Sequence, residues 1–195
     1  MSTSVAPHAT LAPARWLAPA VVTTLLWGLW GALADRPEKA GFPPTLGFVV
    51  WTLTLAPVAY LAWRSHRGPL PRSARAVALG LAGGLPAGAG NLLLFEALRD
   101  GPPALVFPIV SLYPAVTVLL SAVLLRERAP RRVWLGVVLA LCALPLLVTP
   151  AAGGQTFTTG RWLLLAIVIA CAWGVQAFLW KLAEPLLRPE ALCVY

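Results

Sequence analysis

With 195 residues, 59% hydrophobic and 11% charged side chains and a mean hydropathy of +0.79, the chain carries more apolar surface than a soluble domain of this size can bury. Soluble enzymes and disordered chains are excluded, and a polytopic all-α membrane protein is the class that remains. The net charge of +8 does not point to nucleic acid, because the Lys and Arg residues sit in short connections between apolar stretches.

Uncharged stretches run over 16–34, 40–63, 76–95, 101–125, 133–160 and 162–180, with lengths of 19, 24, 20, 25, 28 and 19. A bilayer core of ~30 Å needs ~20 helical residues at ~1.5 Å each, so six transmembrane helices are expected.

The first follows a short tail, 1–14, and Arg15, and it places Trp27 and Trp30 near the membrane midplane. Its end, Ala32-Leu33-Ala34, imitates a signal-peptide cleavage site, but five further spans favour a retained helix. The second span contains Pro57. The third carries Gly80, Gly84 and Gly88 at i, i+4 and i+8, a face that invites close helix packing, together with Pro86. Near its end stand Asn91, for an interhelical bond or a cavity contact, and Glu96, as an interfacial charge paired with Arg99 or as a proton or substrate site.

The fourth span holds Pro108, Ser111, Tyr113 and Pro114, where Tyr113 either faces a cavity or fills a gap between helices. A basic turn follows, with Arg126, Glu127, Arg128, Arg131 and Arg132, suited to lipid headgroups. The fifth span contains Pro145, and the sixth carries Trp173 and Gln176 ahead of Lys181. The prolines admit two readings, bends that shape a cavity or plain packing kinks. Trp16, Trp63, Trp134, Trp162 and Trp180 fall near span ends, where amphipathic rings settle.

Counted by alternate sides, the connections hold eleven and four basic residues, which puts the N-terminus in the cytoplasm of a plasma-membrane protein. Laying residue n over n+146 aligns Arg15-Trp16-Leu17 with Arg161-Trp162-Leu163 and Trp27-Gly28 with Trp173-Gly174, eight identities in the 19 positions from 15 to 33. Five spans separate the copies, so the second starts from the opposite side, and inverted repeats are characteristic of secondary transporters. Two units of 146 residues need about 292, so 15–150 is read as a first repeat and 151–195 as the start of a second, truncated one, six helices of an expected ten.

Particular residues add a family likeness. Trp27-Gly28 in the first helix, Ala97-Leu98 followed by Gly101-Pro102, Leu112-Tyr113-Pro114 and Leu125-x-Glu127 lie in a chain whose stretch Asn91 to Val148 resembles the third to fifth helices of the EamA group in the drug/metabolite transporter superfamily. The resemblance implies a five-plus-five inverted-repeat permease with both termini cytoplasmic. Where related members often show Lys near the end of the first helix, this chain has Asp35, and its second copy has Lys181.

The function expected is therefore passage of a small metabolite or drug-like solute by alternating access, with Trp27, Trp30, Asn91, Tyr113, Trp173 and Gln176 as cavity candidates. A non-transporting scaffold is the alternative. A membrane enzyme is disfavoured, since His8 and His66 lie outside the spans and Ser111 and Ser121 have no base partner in the pattern. Cys142, Cys171 and Cys193 lack CxxC spacing and nearby His, so they read as packing residues and neither a metal nor a cofactor is expected. The expected partners are the bilayer and the solute, with a second copy of the chain left open.

Overall fold

A computed structural model describes residues 17–66, 68, 70–71, 73–147 and 160–195, without the side chains of Glu38 and 144–147. The tail, Arg15, Trp16 and the connection 148–159 lie outside the described residues.

All regular structure among these residues is helical: α1 (Leu17–Leu33), α2 (Arg36–Lys39), α3 (Pro44–Ser65), α4 (Ala74–Asp100), α5 (Pro103–Val110), α6 (Tyr113–Leu124), α7 (Arg131–Leu147), α8 (Arg161–Ala183) and α9 (Pro189–Val194). Proline and serine set several of the starts. Pro44, Pro103 and Pro189 occupy first-turn positions, where their missing N–H is no loss, and the Ser73 hydroxyl accepts from the Ala76 N–H at 3.3 Å.

Four stretches are long and apolar enough to cross a bilayer: Pro44–Ser65, Ala74–Asp100, Pro103–Leu124 and Arg161–Ala183. The chain is thus a multi-pass membrane protein. Over the described residues the first expected span is an apolar helix of 17 residues, Leu17–Leu33. The fourth span is not one helix but two, α5 and α6, parted at Ser111-Leu112. Pro114 removes the N–H that would have met the Val110 carbonyl, and Ser111 and Leu112 close the gap by bonding to Phe107 at 2.9 Å and Ile109 at 3.1 Å. Pro57 and Pro86 do not interrupt α3 and α4.

The exterior is apolar, as a lipid-facing surface must be: Leu25, Leu53, Leu85 and Leu164 are 68%, 66%, 75% and 64% exposed. The three cysteines are free and also on the outside, so they do not serve as interior packing residues.

Helix α8 is the central element, packed chiefly against α4 and then α6 and α5. Its first turn joins a buried cluster in which Trp162, Ala166 and Ile169 meet Ala97 and Leu98 of α4, Val106 and Val110 of α5, and Ala34 just beyond α1. The end of α1 and the start of α8 therefore share one end of the bundle, and the two helices run antiparallel.

Glycines permit this closeness, though not along the expected stripe. A methyl on Gly83 would stand 2.4 Å from the Trp180 ring, and one on Gly90 would stand 2.4 Å from Trp173 Nε1. A methyl on Gly174 would likewise stand 2.4 Å from Val116, and one on Gly80 2.7 Å from Tyr195. Gly84 and Gly88 have only ordinary contacts, at 3.6 and 4.0 Å, and border a cavity instead. The close-packing face is Gly80-Gly83-Gly90, rotated away from Gly80-Gly84-Gly88, because the α8 tryptophans meet α4 at Gly83 and Gly90 and Tyr195 meets it at Gly80.

Candidate functional site

The centre of the bundle is an aromatic cluster drawn from α1, α4, α5, α8 and the start of α6. Trp27 and Trp30 of α1 lie 5.0 Å apart between ring centroids. Trp27 meets Trp173 of α8 edge-on at 6.2 Å, and Tyr113 at the start of α6 meets the same Trp173 at 6.3 Å. Trp30 is held edge-to-face by Phe95 of α4 at 6.4 Å and Phe107 of α5 at 5.8 Å. Such pairs add about 0.5–1.5 kcal/mol each beyond their burial, so the cluster joins α1 to the α4–α8 core at a point where backbone contacts are sparse.

Below it opens a cavity of about 820 Å³ whose wall includes Trp27, Asn91, Tyr113, Trp173 and Gln176. Five of the six cavity candidates thus meet in one space. Trp30 does not; it lines a second, outer cavity of about 800 Å³ between α1 and α3, and Trp27 and Trp51 border both. Asn91 is 6% exposed, and its amide donates to the Ala87 carbonyl of its own helix at 2.9 Å. Its Oδ1 and the Trp173 Nε1–H are buried without a partner among the described residues. Ser111 at the helix break also faces this space.

Charged groups gather at the two ends of α8. At its start, Arg161 reaches Glu96 at 3.2 Å and Asp100 at 3.7 Å, while Arg99 reaches Glu96 at 3.3 Å and Asp100 at 3.1 Å. The Glu96 side chain keeps 22% of its surface exposed. Glu96 is therefore part of a two-acid, two-arginine cluster at a helix end, outside the cavity wall.

At the other end Lys181 pairs with Glu127 and donates to the Ser121 hydroxyl at 3.3 Å. The intervening backbone makes this reach possible. Arg126 adopts φ 53, a left-handed conformation that turns the chain so that the Glu127 N–H bonds the Ser121 carbonyl at 3.3 Å.

Helices thus surround a cavity whose described wall is apolar and aromatic, with a few amide and hydroxyl groups. The model of the EamA-like transporter family matches residues 14–149. The chain belongs to the EamA-like transporter family. It is accordingly a membrane transporter of the drug/metabolite type, and this EamA family is one of transporters, not of enzymes. Neither a curated protein nor a solved structure gives a significant match.

The aromatic partners Phe95 and Phe107 were not singled out from the sequence. Each lies four residues from a residue that was, at Asn91 and Ser111, so helical spacing alone could have flagged them. The pairing of Glu127 with Lys181, 54 residues apart, had no such signal.

Proposed function

We propose that this chain is a plasma-membrane permease that moves a small metabolite or drug-like solute by alternating access, with six spans described by its apolar stretches and its N-terminus in the cytoplasm. One observation supports this most. Trp27 and Trp173, equivalent under the 146-residue offset, touch at 6.2 Å on antiparallel helices. Residues near a two-fold axis in the membrane plane meet their own symmetry mates, which is the arrangement of an inverted-repeat carrier with its solute site at the midplane.

The broken span at Ser111-Leu112 fits the same design, since irregular backbone within a membrane is tolerated where it borders a cavity. In this state the end of the bundle carrying Glu96, Arg99, Asp100 and Arg161 is closed by the ionic cluster above the packed core of Trp162, Ala166 and Ile169. The cavity instead continues towards Trp180 and Tyr195 at the other end. Exposed ion pairs are worth only about 0–1 kcal/mol each, so they can close that end without locking it.

The test is a cysteine pair at positions 96 and 161 in a background free of the three native cysteines. In proteoliposomes the oxidised pair should stop solute flux and a reductant should restore it. Undiminished flux with the pair fully oxidised would refute alternating access at this end, and a folded protein with no flux for any solute would favour a scaffold.

A further inference from the structure

We propose that the cavity selects uncharged aromatic solutes carrying an N–H or O–H donor, and that Asn91 is the residue that reads this donor. The inference deepens the permease reading and rests on it.

Three hydroxyls of the cavity are already committed, while Ser111, Tyr113 and Gln176 line the same space. Thr24 and Thr52 turn their hydroxyls back to the Ala20 and Phe48 carbonyls at 2.9 and 2.8 Å, and the Tyr195 hydroxyl donates to the Pro71 carbonyl at 2.5 Å. Asn91 is different. Its donor side is used on Ala87, while its acceptor oxygen is buried with no donor among the described residues. An amide oxygen left so in a dry span forfeits a hydrogen bond, and a solute that supplies one recovers it.

Beside it the Trp173 indole N–H is likewise buried without an acceptor among the described residues, packed against Gly90, the residue next to Asn91 in the chain. Trp27, Trp51 and Tyr113 line the same cavity, and such aromatic walls favour an aromatic ring.

Charge decides the rest of the class. Among the described residues, no Asp, Glu, Lys, Arg or His lines this cavity. An anion would enter with no cation to neutralise it. For a cation, attraction to the ring faces offsets only part of the cost of leaving water unpaired. A neutral ring bearing an amide, hydroxyl or ring N–H suits the aromatic wall and supplies the donor that the Asn91 oxygen lacks.

The test measures equilibrium binding of radiolabelled benzamide, benzoate, benzylammonium and toluene to the full chain in phosphatidylcholine nanodiscs. Benzamide should bind, and both ions should bind at least about tenfold more weakly. Asn91→Leu should weaken benzamide about five- to tenfold while leaving toluene unchanged, which also shows that the variant is folded. Asn91→Asp, read at about pH 9, should reverse the ranking in favour of benzylammonium, a gain that a misfolded protein cannot produce. Either ion binding the unaltered chain as tightly as benzamide, no benzamide binding, or an unchanged ranking in both variants would overturn the assignment. Flux of another solute by the same protein would then leave the permease reading standing.

Discussion

Gly174 is the point where the packing of α8 on α6 can be tested most sharply. A methyl added there would lie 2.4 Å from Val116 Cβ, 2.6 Å from Val116 Cγ1 and 3.0 Å from the Tyr113 carbonyl, whereas ordinary contact begins at 3.4 Å. The nearest atoms belong to or adjoin backbone, so no rotamer change relieves them and α6 must retreat by about 1 Å. Overpacking of this kind costs about 1–3 kcal/mol. The retreat also stretches the bond from the Thr117 hydroxyl to the Gly174 carbonyl, now 3.1 Å, worth about another 1 kcal/mol. Gly174→Ala should therefore destabilise the protein by roughly 2–4 kcal/mol, lowering the midpoint of thermal unfolding in detergent by about 5–15 °C. Adding Val116→Gly should recover much of the loss, because it removes both clashing side-chain atoms. Val116→Ala should recover little, because it keeps the Cβ at 2.4 Å. An unchanged midpoint for Gly174→Ala, or equal rescue by the two Val116 variants, would refute the packing described.

The same reasoning separates the glycines of α4: Gly90→Ala should displace Trp173 from Trp27 and Tyr113 and cut solute flux severalfold, while Gly84→Ala and Gly88→Ala should leave the unfolding midpoint within about 2 °C. Glu96→Gln should cost at most about 1 kcal/mol and leave the pH profile of flux unchanged, as expected of a partly exposed charge in an end cluster; a lost pH dependence would make it the coupling acid instead. Glu127→Gln and Lys181→Met, with side chains 50% and 39% exposed, should show a coupling energy below about 1 kcal/mol in a double-mutant unfolding cycle.

Much of the architecture was legible in the residue order because it depends on length and charge alone. Stretches such as 40–63 and 162–180 are uncharged over the thickness of a bilayer, and charged residues confine the connections wherever the helices later pack. The break in the fourth span was half visible, since Pro108 and Pro114 announced missing donors but Pro57 and Pro86 did the same and left their helices whole. Trp27 and Trp173 could be paired by the offset before any contact between them was known.

Which side of each helix faces its neighbours was decided only by the tertiary structure. In a soluble helix the polar face betrays the buried one, but here lipid and protein interior are equally apolar, so α8 looks alike all round. Its rotation placed Trp173 over Gly90 and Trp180 over Gly83, shifted the packing face away from Gly84 and Gly88, and joined Arg161 to Glu96 across 65 residues. The chain by itself determined which stretches are long and apolar enough to cross a bilayer. The crossing angles and rotations determined which side chains meet, because nothing in a uniformly apolar surface distinguishes one face from another until the partner helix is in place.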